Sequence, residues 1–263
     1  MKIKKINYCT AISLMLGLLF CLQTAHAQYA HFIQSGKIEF ERKVNMYAKL
    51  KDRSERSPFM KKLYEAYRKD QPQFYTSKST LSFSKDKSIY QFLEAGKLPV
   101  SFLSSDPWVT IKSTVQHDFN TDSVVALKEV YDENFVIKDK KQDIIWKITT
   151  ETREIAGYQC RRANGLILDS IYVVAFYADE IVPAGGPESF SGLPGMILGV
   201  AIPHENVTWF ATKVEIDKPL PATPPKLPKK VEEVSRSEYE ASLKKSTKNW
   251  GEWGEDAMKA FML

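Results

Sequence analysis

The sequence predicts a mainly β protein of the α+β class, because apolar and polar residues alternate in short segments along most of the chain. Turn-forming residues separate these segments at close spacing, which is typical of an antiparallel meander rather than of alternating parallel strand–helix units. One helical segment interrupts the strands at residues 58–69, and a short helix follows them near the C-terminus. We therefore expect a curled antiparallel sheet, as a half-barrel or a sandwich, with one packed helix.

The first predicted elements are a strand and the packed helix. The segment "GKIEFERKVNMY" alternates Ile38, Phe40 and Val44 with charged or polar residues, which indicates a half-buried strand. Ser57 is suited to cap a helix and Pro58 to occupy its first position, so the helix is expected to begin there. Its apolar side chains recur at helical spacing, and this face is expected to pack on the sheet.

The remaining strands are predicted from the same alternation. The segments "FYTSKSTLSFS" and "KSIYQFLEA" flank the turn "KDK", which predicts a hairpin. Residues 95–110 are irregular and contain two prolines, which favours a mobile loop or a lid. Further strands are predicted at about residues 109–119, 123–131, 133–138, 144–150, 153–164, 171–178, 195–203 and 206–216.

Residues 1–27 have the three parts of a secretory signal peptide: basic residues, an apolar run and small residues before a cleavage point. We expect cleavage between Ala27 and Gln28 and an exported mature chain. The apolar run is shorter than the roughly 20 residues that cross a bilayer, so an uncleaved anchor is the weaker alternative. A lipid anchor at Cys21 is also weaker, because Phe20 is bulkier than the small residue that such sites use.

The mature chain divides by composition into three regions. Residues 28–216 carry the predicted strands and form the β-rich body. Residues 217–230 include "KPLPATPPKLPKK", whose five prolines predict an extended strap or linker. Residues 231–263 are predicted to hold a short helix, since Ser235 and Glu238 are spaced as a capping box. Two tryptophans in the tail that follows are expected to tuck against the body or to form a docking peptide.

The composition argues against a nucleic-acid partner. The sequence of 263 residues carries a formal net charge of +5, but removal of the signal peptide takes three lysines with it and leaves +2. No basic stripe interleaved with aromatic residues remains in the mature chain. We therefore predict no nucleic-acid binding, no membrane span in the mature protein and no cofactor.

No sequence pattern predicts a catalytic or metal site. His31, His117 and His204 lie far apart, without the spacing that puts two ligands on one helical face. No Gly-x-Ser-x-Gly nucleophile elbow is present. Cys160 is the one cysteine of the mature chain, so an intramolecular disulfide is excluded and a buried, inert thiol is expected. A site assembled from distant strands remains as an alternative.

The segment "FSGLPGMILGV" places two glycines and a proline before an apolar run. A phosphate-binding loop is excluded, because Pro194 lacks an N–H donor and neither a lysine nor a helix is predicted to follow. Pro194 and Gly195 instead fit the second and third positions of a type II turn that leads into a strand. Since Met196, Ile197 and Leu198 are apolar in succession, both faces of that strand are expected to be covered.

Residues 144–202 resemble the GLPGLI family of exported proteins of Bacteroidetes. The matching strand positions are Trp146, Lys147, Ile148, Ile155, Gly157, Tyr158, Cys160, Tyr177 and Ile181. The matching loop positions are Gly186, Pro187, Phe190, Gly192, Leu193, Pro194 and Gly195, of which the last four belong to the family's namesake motif. The chain departs from the family at Met196, where leucine is usual, at Ala178, where threonine is common, and by one added residue in "IVP".

The resemblance implies an exported β-rich protein whose loop is a structural turn or an interface, but it implies no activity. The strand around Cys160 is also similar to those of LolA-like half-barrels. We predict a non-enzymatic binding or carrier module for an apolar ligand or peptide, in a cleft that the 58–69 helix and the 95–110 loop close.

Two alternatives to this prediction remain. The first is an interaction module that docks its Pro-rich segment and tail on an outer-membrane partner, since GLPGLI members are often encoded beside TonB-dependent receptors. The second is a metal-binding protein or an enzyme with a non-local site. In each case we expect the mature protein in the periplasm or at the outer membrane.

Overall fold

A computed structural model describes residues 32–96, 106–131, 133–168, 170–221 and 231–263 of the chain. The predicted signal peptide, most of the predicted lid and most of the Pro-rich segment lie outside these residues. The described residues form twelve strands in one curled, unclosed sheet, together with five helices. The predicted mainly β class and curled sheet are therefore confirmed.

The strands are β1 (Gly36–Asn45), β2 (Phe74–Phe83), β3 (Lys87–Ala95), β4 (Lys112–Asp118), β5 (Ser123–Val130), β6 (Glu133–Lys140), β7 (Trp146–Ile155), β8 (Tyr158–Ile167), β9 (Ile171–Ala178), β10 (Met196–Ile202), β11 (Val207–Ile216) and β12 (Glu232–Val234). The helices are α1 (Met46–Ser54), α2 (Pro58–Asp70), α3 (Pro107–Thr110), α4 (Arg236–Thr247) and α5 (Glu252–Phe261). A 3-10 turn, Pro203–Glu205, joins β10 to β11.

The order of strands across the sheet is β12-β6-β5-β4-β3-β2-β1-β11-β10-β9-β8-β7. All neighbouring pairs are antiparallel except β12 with β6, which is parallel. β12 is three residues long, and the pairing of β7 with β8 shifts between Ile148 and Thr152. A short edge strand is a poor template for a partner strand, so the β12 edge does not favour sheet extension.

The alternation read from the sequence explains which face of the sheet is buried. Along β1, Ile38, Phe40, Arg42 and Val44 are buried, and the residues between them are more exposed. On β6, Phe135 packs edge-to-face on Tyr239 of α4, with ring centroids 5.1 Å apart. The C-terminal helices therefore cover part of this buried face.

The predicted hairpin of β2 and β3 is confirmed, and the predicted 58–69 helix is observed as α2. However, α2 packs mainly against α1 rather than on the sheet, so the predicted packing partner is wrong. Tyr67 of α2 meets Tyr47 of α1 edge-to-face at 6.2 Å. The sequence pattern identified the apolar face of α2 but carried no information about which element would cover it.

Local chemistry also corrects two predictions about where strands end. The first strand ends at Asn45, whose side-chain Oδ1 accepts a hydrogen bond from Ala48 N at 3.1 Å and so caps α1. The predicted break between residues 150 and 153 is wrong, because β7 continues to a two-residue turn at Ala156 and Gly157. Both turn residues have positive φ, which matches the primed turns that join twisted antiparallel strands.

The predicted capping box of the C-terminal helix is confirmed in α4, where the Ser235 and Glu238 side chains each bond the other's backbone N–H. The tail beyond it forms a second helix, α5, which the sequence did not predict. None of the described helices is long and apolar enough to cross a membrane.

Candidate functional site

The family loop, residues 183–195, is packed into the body of the protein. Gly186, Pro187, Phe190, Leu193 and Gly195 are buried, whereas Gly192 and Pro194 are exposed. Phe190 meets Trp209 of β11 edge-to-face at 6.2 Å. Most of this loop therefore belongs to the core, and only two of its motif residues lie at the surface.

The predicted type II turn at Pro194 is wrong. Gly195 has a positive φ of +150°, and its N–H donates to the Leu193 carbonyl two residues back, at 2.8 Å. The N–H of Met196, which would close a type II turn, donates instead to the Ile181 carbonyl at 2.9 Å. A contact with a neighbouring segment thus replaces the local turn hydrogen bond.

Trp146 is the strand residue that the fold brings to the family loop. Its indole Nε1 donates a hydrogen bond of 2.9 Å to the Ser191 carbonyl. Gly165 lies opposite Trp146 on β8, and a Cβ there would come within 2.8 Å of the indole ring. The resemblance thus includes two distant segments that lie in contact in the fold.

Three of the other family strand residues lie away from this contact. Gly157 and Tyr158 are at the opposite end of the β7–β8 hairpin, where Ile155 pairs with Tyr158. Cys160 is fully buried on β8, and its Sγ lies 3.5 Å from the Tyr158 carbonyl. These three residues support the hairpin and its packing.

We expect Cys160 to react with a disulfide reagent such as DTNB only after unfolding. Burial raises the pKa of its thiol to about 12, so the reactive thiolate is scarce at about pH 8. The measurement compares the release of thionitrobenzoate from residues 28–263 in native buffer and in guanidinium chloride. Rapid reaction in native buffer would show that the thiol is accessible.

Glu188 is a buried residue of the family loop that sequence reasoning missed. Tyr90 donates a hydrogen bond to its Oε1 at 3.1 Å, and Ser113 donates to its Oε2. Its φ is +52°, in the left-handed region that residues other than glycine seldom adopt. The loop backbone is thus held in an unfavourable conformation that places a carboxylate inside the protein.

Two buried cations share this interior with Glu188. Arg42 donates to Ser77 Oγ at 2.9 Å and to the Val109 carbonyl at 3.5 Å. Burial lowers the pKa of Arg42, and the charge of Glu188 opposes this shift. Burial likewise lowers the pKa of Lys128 to about 8, with Glu188 again acting in the opposite direction.

The sequence offered one signal for this buried cluster. Arg42 falls on the inward face of the alternating β1 pattern, and a charge there requires a partner. The partner is far away in the chain, so the sequence could not identify it. The hydrogen bonds that Tyr90 and Ser113 donate to Glu188 anchor the family loop to β3 and β4.

A charged groove of about 610 Å³ lies between α1, the 203–205 turn and α5. Its lining residues are Lys49, Asp52, Arg53, Arg56, Ser57, Met60, Pro203, His204, Glu205, Asn206, Glu252, Trp253, Asp256 and Lys259. Four of these are basic and four are acidic, with His204 counted as neutral. The lining comes from three segments that are far apart in sequence, which is why no local motif predicted the groove.

Arg53 holds the helices that form this groove. Its Nη1 donates to Oδ2 of Asp106 at 2.9 Å, and its Nη2 donates to Asp256 of α5. Its guanidinium also stacks on Trp253, 4.1 Å from the ring centroid. Since Asp106 is fully buried and caps α3, Arg53 connects α1, α3 and α5 through one side chain.

A smaller apolar groove of about 390 Å³ lies between the β5–β6 turn and the C-terminal helices. Its lining residues are Val130, Tyr131, Glu133, Phe135, Ser242, Leu243, Ser246, Thr247 and Trp250. Tyr131 and Trp250 are both exposed and meet edge-to-face at 5.4 Å. Residues 231–263 therefore contribute to the walls of both grooves.

None of the predicted family residues lines either groove. Within the described ranges, no group of three or more His, Cys, Asp or Glu side chains is placed to hold a metal ion. His117 is buried beside Phe119, with ring centroids 4.8 Å apart, and burial lowers the pKa of its imidazole. His204 lies apart from it, in the charged groove.

Comparison with solved structures finds chains that are similar to this one at low sequence identity. The structure of PNGF-II in the P21 space group has a TM-score of 0.50 and 16% identity, covering 81% of this chain and 34% of that chain. The structure of PNGF-II in the C2 space group has a TM-score of 0.50 and 15% identity, covering 81% and 33%. An uncharacterized conserved protein from Thermus thermophilus has a TM-score of 0.38 and 6% identity, covering 78% and 92%.

This chain spans about a third of the length of the PNGF-II chain, and at such identity the likeness shows the fold alone. No family model matches the sequence, and no curated protein matches it. The fold and the comparisons together define a mainly β protein built on one curled, unclosed sheet.

Proposed function

We propose that this protein is an exported, non-enzymatic binding module of the GLPGLI family that holds a peptide segment in its charged groove. The observation that carries the proposal is the balanced lining, in which four basic and four acidic side chains surround the apolar parts of Met60 and Trp253. A peptide offers amide donors and acceptors and side chains of both charges, so it can pair with such a wall. An acyl chain would cover these charged groups without pairing them, at a cost in free energy.

The occupancy of the interior also favours a peptide over an acyl chain. The buried face of the sheet is filled by large side chains, among them the fully buried Trp108, Trp209 and Tyr177. Ala257, Ala260 and Phe261 of α5 are buried as well. A ligand would therefore bind at a surface groove rather than inside the curled sheet.

The apolar groove supports a second candidate function, which is docking of an outer-membrane partner. Trp250 and Tyr131 present exposed aromatic surface there, which is typical of protein interfaces. In this form the tail acts as part of a folded surface rather than as a free docking peptide, because the helix that follows Trp250 is packed against the body.

Support for family membership comes from the loop and from Trp146. Residues that match the family at Trp146 and around Gly192 are far apart in the sequence, yet Trp146 donates a hydrogen bond to the loop at Ser191. Export rests on the three-part segment at residues 1–27.

The test of peptide binding uses native mass spectrometry of the mature chain with an equimolar pool of synthetic hexapeptides. We expect retained peptides for the wild type and a loss of about tenfold in their affinity for the Arg56→Glu variant, since Arg56 is an exposed groove cation. Lys78→Glu is the matched control, because Lys78 is an exposed cation in an ion pair outside the groove.

Two results would contradict the proposed function. The first is a wild-type protein that retains no hexapeptide from the pool. The second is equal loss of binding in Arg56→Glu and Lys78→Glu, which would trace the effect to net charge rather than to the groove.

A further inference from the structure

We propose that Lys49 binds a carboxylate of the peptide at the floor of the charged groove. This inference rests on the proposed function and adds the chemical class of group that the groove selects. The group is a C-terminal carboxylate or an acidic side chain of the ligand.

The ion pairs of the groove set Lys49 apart from the other three cations. Arg53 and Arg56 each hydrogen-bond two carboxylates, and Lys259 Nζ lies 2.9 Å from Glu205 Oε1. Lys49 Nζ lies 3.9 Å from the other oxygen of Glu205, which is beyond hydrogen-bond distance. Among the described residues that line the groove, Lys49 is the one cation without a hydrogen-bonded carboxylate.

Lys49 has a mostly buried side chain and lines the groove. Its side chain is only 5% exposed, and its ammonium lies 5.6 Å from the centroid of the Trp108 ring. No described residue accepts a hydrogen bond from Lys49 Nζ. An ammonium has three N–H donors, and these donors can bond an oxygen of a ligand in the groove. A ligand oxygen in the groove would supply the missing acceptor.

The charges around Lys49 favour a monoanion over a dianion. Glu205 is buried beside it, and Asp52, Glu252 and Asp256 add further negative charge to the lining. Repulsion from these carboxylates grows with the charge of the incoming group, so phosphate is disfavoured relative to a carboxylate. Lys259 adds a second ammonium beside Glu205, which offsets part of its charge.

The experiment compares three forms of one hexapeptide that binds the wild-type groove. The first form has a free C-terminal carboxylate, and the second has a C-terminal carboxamide. The third form has amides in place of all acidic side chains. Binding is measured by fluorescence anisotropy with a labelled N-terminus. We expect loss of the recognised carboxylate to weaken binding to the wild type by about tenfold or more, as for a buried charge-assisted hydrogen bond.

Substitution of Lys49 tests whether the preference for a carboxylate depends on this side chain. We expect Lys49→Met to bind the forms with equal affinity and Lys49→Arg to retain the preference for the carboxylate. Lys78→Met, outside the groove, should behave as the wild type. Circular dichroism and thermal unfolding check that each variant is folded, and a folded Lys49→Met or Lys49→Arg variant with the wrong preference would overturn the assignment.

The outcomes separate the two proposals. If the wild type binds all three forms equally, the assignment of a carboxylate to Lys49 is overturned while peptide binding stands. A wild type that binds no hexapeptide overturns the proposed function, and the assignment with it. Inorganic phosphate that displaces the peptide where acetate at equal ionic strength does not would also overturn the assignment, because it would show a dianion site.

Discussion

Replacement of Glu188 by alanine is expected to destabilise the folded protein by about 3–5 kcal/mol, the usual cost of removing one partner from a buried charge cluster. The substitution removes a buried carboxylate whose charge favours the protonated forms of the buried cations Arg42 and Lys128. It also removes the acceptor of the hydrogen bonds that Tyr90 and Ser113 donate. Guanidinium unfolding monitored by tryptophan fluorescence measures the change in free energy.

A matched control and a double variant sharpen this prediction. Glu94→Ala removes an exposed carboxylate that is paired with Lys78, and we expect a smaller loss of stability than for Glu188→Ala, within the range of surface substitutions. Arg42→Met combined with Glu188→Gln is expected to cost less than the sum of the two single changes, since it removes both members of an interacting pair. Additive costs would show that Arg42 and Glu188 are energetically independent.

Gly195→Ala is expected to destabilise the protein by about 3 kcal/mol or more, because steric overlap and an unfavourable backbone conformation act together. A Cβ at Gly195 would lie 2.3 Å from the Ala178 carbonyl oxygen, which belongs to the paired strand β9. The φ of +150° is also one that residues other than glycine rarely adopt. The strand β10 that begins at the next residue would have to shift.

Gly192→Ala is the control for the steric part of this effect. Gly192 also has a positive φ, of +90°, but the nearest atoms to its added Cβ are in Trp146 at 3.8 Å. We expect a cost of about 1–2 kcal/mol from the backbone conformation alone. Thermal and guanidinium unfolding compare the stability of both variants. Equal losses of stability would show that overlap with Ala178 adds nothing to the effect of the backbone conformation.

These two predictions assign the family loop a structural role. Gly195 permits close approach to β9, and Glu188 fixes the loop to β3 and β4 through Tyr90 and Ser113. The proposed binding groove lies elsewhere, at α1 and α5. We therefore expect substitutions in the loop to lower stability and to leave the peptide preference of the folded protein unchanged.

Local patterns in the sequence were sufficient for several elements. Period-two alternation identified the buried residues of β1, since side chains of a strand point to opposite faces in turn. The capping box at Ser235 and Glu238 identified the start of α4, because both partners lie within one helical turn. The turn at Pro194 failed because its decisive hydrogen bond comes from Ile181, outside the local segment.

The sequence by itself determined the mainly β class, the positions of most strands along the chain and the loop that resembles the GLPGLI family, since each depends on neighbours in the chain. Only the tertiary structure decided that Glu188 meets Tyr90 and Ser113 and that Arg53 joins Asp106 to Asp256. It also decided that Lys49 lies in the groove beside Glu205. The physical reason is that buried charges require partners, and packing of the sheet and helices brings those partners from distant parts of the chain.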